Sequence, residues 1–297
     1  MKNILVNESQ SIQKILDDNL NEPLILTLEP GFYKEKLYIK NNDLTIIGKD
    51  PVKTIICYND FNYKFHEDGL FYNTFRTSTI DVIGKNVTFK NITVENAAGP
   101  AMKKTGTAVA LSIYGTNFKA INCHIKAHQD TLFIGPLPVD LAERYFHILT
   151  HEMRHTHLVE SLFVDCQIFG NVDFIFGSGI AIFKDSEIHI INVDAHGYIT
   201  APSTYEAFEY GFIFKDSRII NHCDKEVYLG RPWREFGATH FIDCHFIGLY
   251  KEERYTDWDK EHIRFFESPY VTSKLSNPLN DLELEKVNKY INEKLNH

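Results

Sequence analysis

The sequence predicts an all-β chain that folds as a single-domain, right-handed parallel β-helix with terminal capping helices. Three observations support this prediction: a short strand motif recurs along the chain, its copies are irregularly spaced, and a helical hydrophobic pattern stands near each terminus. Stacked solenoids keep the strand motif of each coil while the turns between strands vary in length. We expect all residues, 1–297, to form one domain, because no linker rich in Pro, Gly or Ser divides them.

The recurring motif reads Phe-x-Asp/Asn, a small or apolar residue, any residue, and then Ile, Val or Phe. Five full copies and one weaker copy begin at Phe89, Phe163, Phe183, Phe214, Phe241 and Ala120. The Asp or Asn of successive copies is separated from the next by 31, 43, 20, 31 and 27 residues. An antiparallel sandwich is the alternative fold, but sandwiches lack a repeated polar position of this kind.

Both ends of such a solenoid need covering, and each end carries a helical pattern. Near the N-terminus, Ile12, Ile15 and Leu16 recur at helical spacing. Apolar residues recur at near-helical intervals again from 281 to 295, which predicts a closing helix packed on the last coils. Between these ends, the stretch from about Leu137 to Leu162 breaks the repeat, and we expect it to loop out beside the coils.

Composition and charge limit the partners that the chain can have. It has 297 residues, 43% of them hydrophobic, and a formal net charge of −9. The hydrophobic content supports a sizeable core, while an acidic chain without a basic stripe argues against nucleic acid. No stretch is long and apolar enough to span a bilayer, so we expect no membrane partner, and we expect a monomer. No signal peptide is visible, which predicts a cytoplasmic protein if Met1 is the natural start and a secreted one if a leader was removed.

Two aspartates, Asp130 and Asp173, stand at the same place in two copies of the repeat. Each follows the polar residue of its copy, Asn122 or Asp165, by eight residues. If each copy forms one coil, the two aspartates lie on neighbouring strands, about 4.7–4.9 Å apart. Carboxylates this close perturb each other's pKa, and such pairs concentrate at catalytic sites. For either aspartate alone, a solvated turn residue or a core ion pair would be the simpler interpretation.

A nearby cation would keep one aspartate of such a pair ionised. Arg231 is the best candidate, because it lies fifteen residues after the polar residue of a later copy, Asp216. The alternative is an exposed arginine in a turn, which Gly230 and Pro232 on either side favour.

The segments that hold these residues resemble the signature motifs of the pectin methylesterases, carbohydrate esterases that remove methyl groups from methylated galacturonan. The three signature motifs are present complete and in order at Gln129–Leu132, Val172–Gly177 and Leu229–Trp233. The resemblance covers nearly the whole chain, and residues 133–138 and 199–204 are similar to the bacterial branch of the family. Jointly the motifs are specific, although each alone would be weak.

The resemblance implies a role for each residue of the site. Asp173 would be the nucleophile, and Asp130 the general acid that later acts as the general base. Gln129 would donate a side-chain N–H to the tetrahedral oxyanion, and Arg231 would hold Asp173 ionised. The chemistry of the residues agrees, because two close carboxylates with one paired to an arginine separate their pKa values in this sense.

Three further residues are expected to contact substrate. Trp233 would offer a flat face to a sugar ring. Phe174 would line the groove, and Phe176 is a second candidate for this role. For one of these two phenylalanines, packing into the core is equally expected. Thr107 stands where the family usually has a glutamine of the oxyanion hole. Losing one oxyanion donor costs roughly 10²–10³ in rate. We therefore expect a functional but slow enzyme, in which the Thr107 hydroxyl donates directly or through water.

A rival pattern, His151–His155, fits the His-Glu-x-x-His sequence of zinc proteases. On a helix its two histidines would share a face, and His147 or His157 would supply the third ligand that zinc requires. The pattern is short in a chain with 14 histidines, and it falls in the inserted stretch instead of the scaffold. We favour an exposed histidine-rich loop beside the groove, and we expect no metal or other cofactor.

Three functions remain in competition. The first is removal of methyl groups from methyl-esterified galacturonan, either pectin or its oligomers, with release of methanol. The second is a glycosidase or lyase on the same type of scaffold, since fold alone does not fix the reaction. The third is a catalytically weak or inactive pectin-binding β-helix protein, for which Thr107 is the only hint. For the first function, the acidic net charge predicts a preference for well-methylated substrate.

Overall fold

The computed structural model describes residues 1–99 and 105–296, and in these residues three parallel sheets wind around one core. The predicted parallel β-helix is confirmed. Strands are numbered β1 to β26 along the chain. Sheet A contains β1 (Lys2–Val6), β2 (Leu24–Leu28), β5 (Leu44–Ile47), β8 (Val87–Lys90), β11 (Phe118–Ile121), β14 (Glu160–Val164), β17 (Ile180–Lys184), β20 (Phe212–Lys215), β23 (Ala238–Ile242), β25 (Arg264–Ser268) and β26 (Ser276–Pro278).

The other two sheets complete each coil. Sheet B contains β3 (Gly31–Tyr33), β6 (Thr54–Tyr58), β9 (Thr93–Asn96), β12 (His124–Lys126), β15 (Gln167–Gly170), β18 (Glu187–Ile190), β21 (Arg218–Asn221) and β24 (His245–Ile247). Sheet C contains β4 (Leu37–Ile39), β7 (Ile80–Val82), β10 (Leu111–Ile113), β13 (Leu132–Ile134), β16 (Val172–Gly177), β19 (Tyr198–Pro202) and β22 (Tyr228–Gly230).

The phenylalanine of the repeat forms a ladder inside the β-helix. Phe163, Phe183, Phe214 and Phe241 pair in register along sheet A. Their rings stack with centroids 4.8, 4.7 and 4.6 Å apart, and all four are almost completely buried. Each aromatic ring removes a large apolar surface from water, so the ladder is a main contributor to the core. This packing explains why the motif keeps Phe while the turns change length.

The polar residue of the repeat is a turn residue. At every copy it joins a strand of sheet A to the next strand of sheet B, and its φ angle lies between 49° and 54°. Those residues are Asn91, Asn122, Asp165, Asp185, Asp216 and Asp243. Asn and Asp tolerate this left-handed conformation better than other residues with a side chain. The motif therefore marks the turn between sheets A and B.

Helices form at both predicted positions, but the second lies on the side of sheet A instead of packing on the last coils as predicted. Helix α1 (Ile12–Asp18) begins after Ser11, whose hydroxyl accepts a hydrogen bond from the Lys14 amide at 3.1 Å, and it buries Ile12 and Leu16. Helix α3 (Asp281–Asn296) packs on the outer face of sheet A beside β17, β20 and β23. These strands present isoleucines to the helix on their outer face and phenylalanines to the core on their inner face. It therefore covers the side of the coils. None of the helices in the described residues is long and apolar enough to cross a membrane.

The inserted stretch loops out beside the coils, as predicted. It contains helix α2 (Val139–Arg144) and a four-residue 3₁₀ helix, His151–Arg154, and it packs on the outer face of sheet C. His155 follows that helix with extended backbone, and its Nε2 lies 2.8 Å from the Tyr114 carbonyl. The α-helical face that the zinc pattern requires is therefore not formed. Within the described ranges, no group of three or more His, Cys, Asp or Glu is placed to hold a metal ion.

Candidate active site

The predicted stacking of Asp130 and Asp173 is confirmed by the register of sheet C. Leu132 of β13 pairs with Ile175 of β16. Asp130 stands two residues before Leu132, and Asp173 stands two residues before Ile175. The Asp130 amide donates to the Val172 carbonyl at 3.1 Å, which fixes the two turns one above the other. The carboxylates therefore lie on adjacent coils, where neighbouring strands are about 4.8 Å apart.

Backbone conformation brings both side chains out of the sheet. Asp130 and Asp173 adopt left-handed φ angles of 60° and 49°. Asp173 also lies in an irregular part of β16, because Val172 pairs with Tyr198 while Ile175 pairs with Thr200. Such a bulge places one extra residue against the partner strand and redirects the side chains around it.

The bulge also decides which aromatic side chain reaches the groove. Phe174 is fully buried in the interior core, so the prediction that it contacts substrate is wrong. The interior is shaped to receive it, since a Cβ on Gly170 would lie only 2.2 Å from the Cβ of Phe174. Phe176 faces outward instead, with its ring 5.7 Å from that of Trp233. Simple strand alternation puts both phenylalanines on one face, which the bulge prevents.

Arg231 holds Asp173 through a two-pronged ion pair. Its Nε lies 2.9 Å from Oδ1 and its Nη2 lies 2.5 Å from Oδ2 of Asp173. Planar, bidentate pairs of this kind are strong and fix orientation as well as charge. The Arg231 amide donates to the Thr200 carbonyl at 3.0 Å, which anchors the arginine two coils beyond Asp173. The alternative of a solvated turn arginine is therefore wrong.

Two aromatic rings clamp the guanidinium of Arg231, and sequence reasoning missed both. Its Cζ lies 4.1 Å from the ring centre of Tyr198 and 4.5 Å from that of Trp258. Contacts between a cation and an aromatic face stabilise the charge and limit its movement. Trp258 adopts a φ of 48°, an unusual conformation for a bulky residue. A signal existed only for Tyr198, which directly precedes the segment 199–204.

Burial and charge separate the two carboxyl groups. Burial raises the pKa of Asp130 well above its ordinary value, and the neighbouring Asp173 charge raises it further, against a smaller opposing effect of Arg231. Burial also raises the pKa of Asp173, but the hydrogen bonds and charge of Arg231 counteract that rise. Asp173 therefore loses its proton first, and Asp130 retains a proton to higher pH. One ionised and one protonated carboxyl group is the arrangement that the roles of nucleophile and acid require.

Gln129 and Thr107 lie on adjoining backbone. The Gln129 carbonyl accepts a hydrogen bond from the Ala108 amide at 3.2 Å, which ties the two segments together. The Thr107 hydroxyl lies 2.8 Å from that of Thr74, and its carbonyl accepts from the Asn62 amide at 3.0 Å. The side chain that replaces the expected glutamine is thus held by a neighbouring threonine.

Two cavities adjoin the carboxylate pair. One, of about 580 Å³, is lined by Gln129, Tyr198 and Arg231. The other, of about 350 Å³, is lined by Asp130, Phe176 and Trp233. Both volumes lie in the range of small-molecule sites. The adjacent residues Gln129 and Asp130 line different cavities, so the two cavities meet the site at the same turn.

Comparison with known proteins assigns the fold and the family of this chain. The family model for pectinesterases matches residues 6–137 and 150–266. A pectinesterase of Petunia integrifolia is 29% identical over 256 residues, which are 80% of this chain and 59% of that protein. The chain thus spans less than two thirds of the length of that relative.

Solved structures with similar folds are pectin methylesterases. The structure from Yersinia enterocolitica has a TM-score of 0.74 and 25% identity, with 93% of this chain and 95% of that chain covered. A pectin methylesterase in complex with a hexasaccharide has a TM-score of 0.72 and 23% identity, with 91% and 90% covered. The likeness confirms the predicted right-handed β-helix.

Proposed function

The chain belongs to the pectinesterase family, and from that premise we propose that it is a carboxylic ester hydrolase that removes methyl groups from methyl-esterified galacturonan and releases methanol. One observation carries the proposal: a largely buried carboxyl pair in which Arg231 holds Asp173 at 2.9 and 2.5 Å, while no cation of the described residues forms an ion pair with Asp130. That asymmetry suits ester cleavage by one carboxylate as nucleophile and the other as acid.

In the first step, a carboxylate oxygen of Asp173 attacks the ester carbonyl carbon. The carbonyl electrons move to oxygen, and the side-chain N–H of Gln129 donates to the resulting oxyanion. The intermediate then breaks its bond to the methoxy oxygen, which takes the proton of Asp130 and leaves as methanol. The products are an anhydride between Asp173 and the galacturonate unit, and an ionised Asp130.

In the second step, Asp130 acts as a base. Its carboxylate removes a proton from a water molecule, whose oxygen attacks the substrate carbonyl carbon of the anhydride. Breaking the anhydride bond returns Asp173 to its carboxylate form, beside Arg231, and leaves the sugar as a free acid. Asp130 ends the cycle protonated, ready for the next ester.

The substrate proposal rests on the shape and the aromatic lining of the groove. The two cavities, about 580 and 350 Å³, adjoin the carboxyl pair, which suits a chain better than a single sugar. Trp233 lines the second cavity, and Trp258 is 47% exposed above Arg231, so each offers a flat face to a sugar ring. A pectin methylesterase of the same fold was solved with a hexasaccharide, and we extend that mode of binding to this chain. The chain acts as a monomer in this proposal.

The direct test is methanol release from highly methylated pectin and from methylated oligomers, for the unaltered protein beside Asp173→Ala. We expect release from the unaltered protein and none above background from the variant. New reducing ends or unsaturated products without methanol would identify a glycosidase or a lyase. Binding with no product would favour the second candidate, a pectin-binding protein, for which the replacement of the oxyanion glutamine by Thr107 is the specific observation.

A further inference from the structure

Residues 138–149 form a wall of the smaller cavity that the family pattern does not supply. They fall between the two stretches that the family model matches, 6–137 and 150–266. In this chain they include α2, and Leu141, Arg144 and Tyr145 line the same 350 Å³ cavity as Asp130. We propose that this wall creates a subsite for a galacturonate unit with a free carboxylate, next to the unit being cleaved, and that Arg144 binds that carboxylate. The identity of the sugar rests on the proposed function.

The wall is attached firmly enough to act as part of a binding site. Asp140 receives two hydrogen bonds from Arg234, at 3.1 and 2.8 Å, and this arginine directly follows Trp233. The Tyr205 hydroxyl donates to the Leu137 carbonyl at 2.6 Å, at the start of the wall. Hydrogen bonds at the N-terminal end of α2 therefore tie the wall to the coils that carry the groove.

Apolar packing supports the same conclusion. Leu141 and Leu149 are each 6% exposed and belong to a cluster on the outer face of sheet C with Phe133 and Phe176. The ring of Tyr145 lies 5.8 Å from that of Phe75, which also lines the cavity. Buried leucines of this kind each contribute about 1.5–3 kcal/mol, so the wall is part of the folded unit.

Arg144 differs from the nearby arginines in its ion pairs. The guanidinium of Arg234 is paired with Asp140, and that of Arg231 is paired with Asp173. No carboxylate of the described residues lies within 4.0 Å of the Arg144 side-chain nitrogens. Glu143 is its neighbour on α2, but adjacent helical residues point in different directions. Among the described residues that line the cavity, Arg144 is therefore a cation without a carboxylate partner, which is the complement of one sugar carboxylate.

The larger cavity has the opposite character. Its rim carries Asp194, and among its lining residues in the described chain the only arginine or lysine is Arg231, which is already paired with Asp173. A carboxylate there would meet a like charge and no available cation. The groove therefore favours a free acid on the Arg144 side and a methyl ester on the Asp194 side. This local asymmetry refines the expectation from the net charge, which treats the whole surface as repelling polyanions.

The test compares methanol release from two sets of galacturonate oligomers, one fully methylated and one carrying free acids between esters. We expect Arg144→Ala to lower kcat/KM about tenfold more on the oligomers with free acids than on the fully methylated set. Arg144→Lys should recover part of the loss, because it keeps the charge without the planar fork. Lys289→Ala is the matched control, since it removes one exposed positive charge from α3, on the outer face of sheet A.

Binding of unesterified trigalacturonate, measured by calorimetry, separates this proposal from the proposed function. A Kd that weakens about tenfold in Arg144→Ala supports the subsite even if the unaltered protein releases no methanol. An equal loss on both sets of oligomers would assign Arg144 a structural role, and no loss in either measurement would overturn the subsite. If the unaltered protein releases methanol but Arg144→Ala does not change the Kd for trigalacturonate, the proposed esterase activity stands and the proposed subsite is wrong.

Discussion

Two rows of left-handed aspartates run along this molecule, and we propose a catalytic role for only one of them. The structural row includes Asp185 and Asp243 at the turns from sheet A to sheet B, with φ angles of 53° and 52° and side chains that are 49% exposed. The row for which we propose catalysis, called the catalytic row below, is Asp130 and Asp173 near the starts of strands of sheet C, with φ angles of 60° and 49°. Asp173 is only 16% exposed. The same residue type is selected in both rows by the same backbone requirement.

The difference between the rows lies in their surroundings. Burial raises the pKa of Asp216 in the structural row, but hydrogen bonds and charges from Lys215 and Lys184 outweigh it and lower that pKa below its ordinary value. In the catalytic row, burial and the Asp173 charge raise the pKa of Asp130, and Arg231 forms its ion pair with Asp173. The left-handed backbone conformation thus favours aspartate in both rows. Burial of the carboxyl groups and an arginine that pairs with only one of them set the two pKa values apart in the catalytic row.

The largest effect that can test this comparison comes from exchanging one carboxylate for an amide in each row. We expect Asp173→Asn to lower methanol release by 10⁴-fold or more, on the order of other nucleophile losses, because the amide cannot attack the ester. The matched Asp185→Asn should keep activity within about twofold, since Asn also tolerates a left-handed turn. Equal losses in the two variants would break the comparison, provided that both unfold at similar temperatures.

A smaller loss is expected from Asp130→Asn. An amide cannot give a proton to methanol or remove one from water, so kcat should fall about 10²–10⁴-fold. The alkaline limb of the pH profile of kcat should vanish as well, because that limb reports the loss of the Asp130 proton. A variant that keeps the alkaline limb would assign it to a different group.

Arg231→Lys should change the pH profile more than the maximal rate. The lysine cannot reproduce the bidentate pair with Asp173, so less charge opposes the effect of burial. The pKa of Asp173 then rises, and since only its ionised form attacks, the acid limb of kcat/KM should move to higher pH. An acid limb that stays in place would show that Arg231 does not control the ionisation of Asp173.

Thr107→Gln is expected to raise kcat about tenfold by restoring a donor to the oxyanion. The result depends on breaking the bond between the hydroxyls of Thr107 and Thr74, which are 2.8 Å apart. Thr107→Val is the control, because it has a similar volume and no donor, and it should be slower than the unaltered protein. A fall in turnover with glutamine would contradict the account of a slow enzyme.

The smallest effect concerns stability. The pKa of Asp130 is higher in the folded state than in the unfolded state. Between those two pKa values the folded state binds more protons than the unfolded state. The free energy of unfolding therefore falls as pH rises from the unfolded pKa of Asp130 toward its folded pKa. Asp130→Asn removes that dependence. We expect its Tm to exceed that of the unaltered protein at pH 7 by a few degrees, at about 2–4 °C per kcal/mol, and by less at pH 4. An equal difference at both values would indicate better packing.

Much of the fold was predictable because the repeat is a packing pattern. Phe163 and Phe183 stack inside and Asp165 and Asp185 make the turns, so counting residues from the motif is enough to place Asp130 beside Asp173. The reason for the polar position, a left-handed turn, was not recognised in the pattern.

The parts of the site that escaped prediction depend on local irregularity or on distant segments. The β16 bulge reverses the facing of Phe174, and strand alternation gives no sign of it. Trp258 reaches Arg231 from a loop with no repeat to count from. Arg144 lies in the inserted wall. The repeat predicts only that this wall lies outside the coils, and not which side chains face the cavity.

The most direct test of the central claim is a titration of the aspartate carboxyl carbons by NMR, with Asp130, Asp173 and Asp216 assigned through single substitutions. The account predicts that Asp130 has the highest pKa of the three, that Asp173 has a pKa above about 3.9 but below that of Asp130, and that Asp216 has a pKa below about 3.9. Three aspartates that all titrate near the ordinary value would contradict it, because burial and charge would then not distinguish the catalytic row from the structural one.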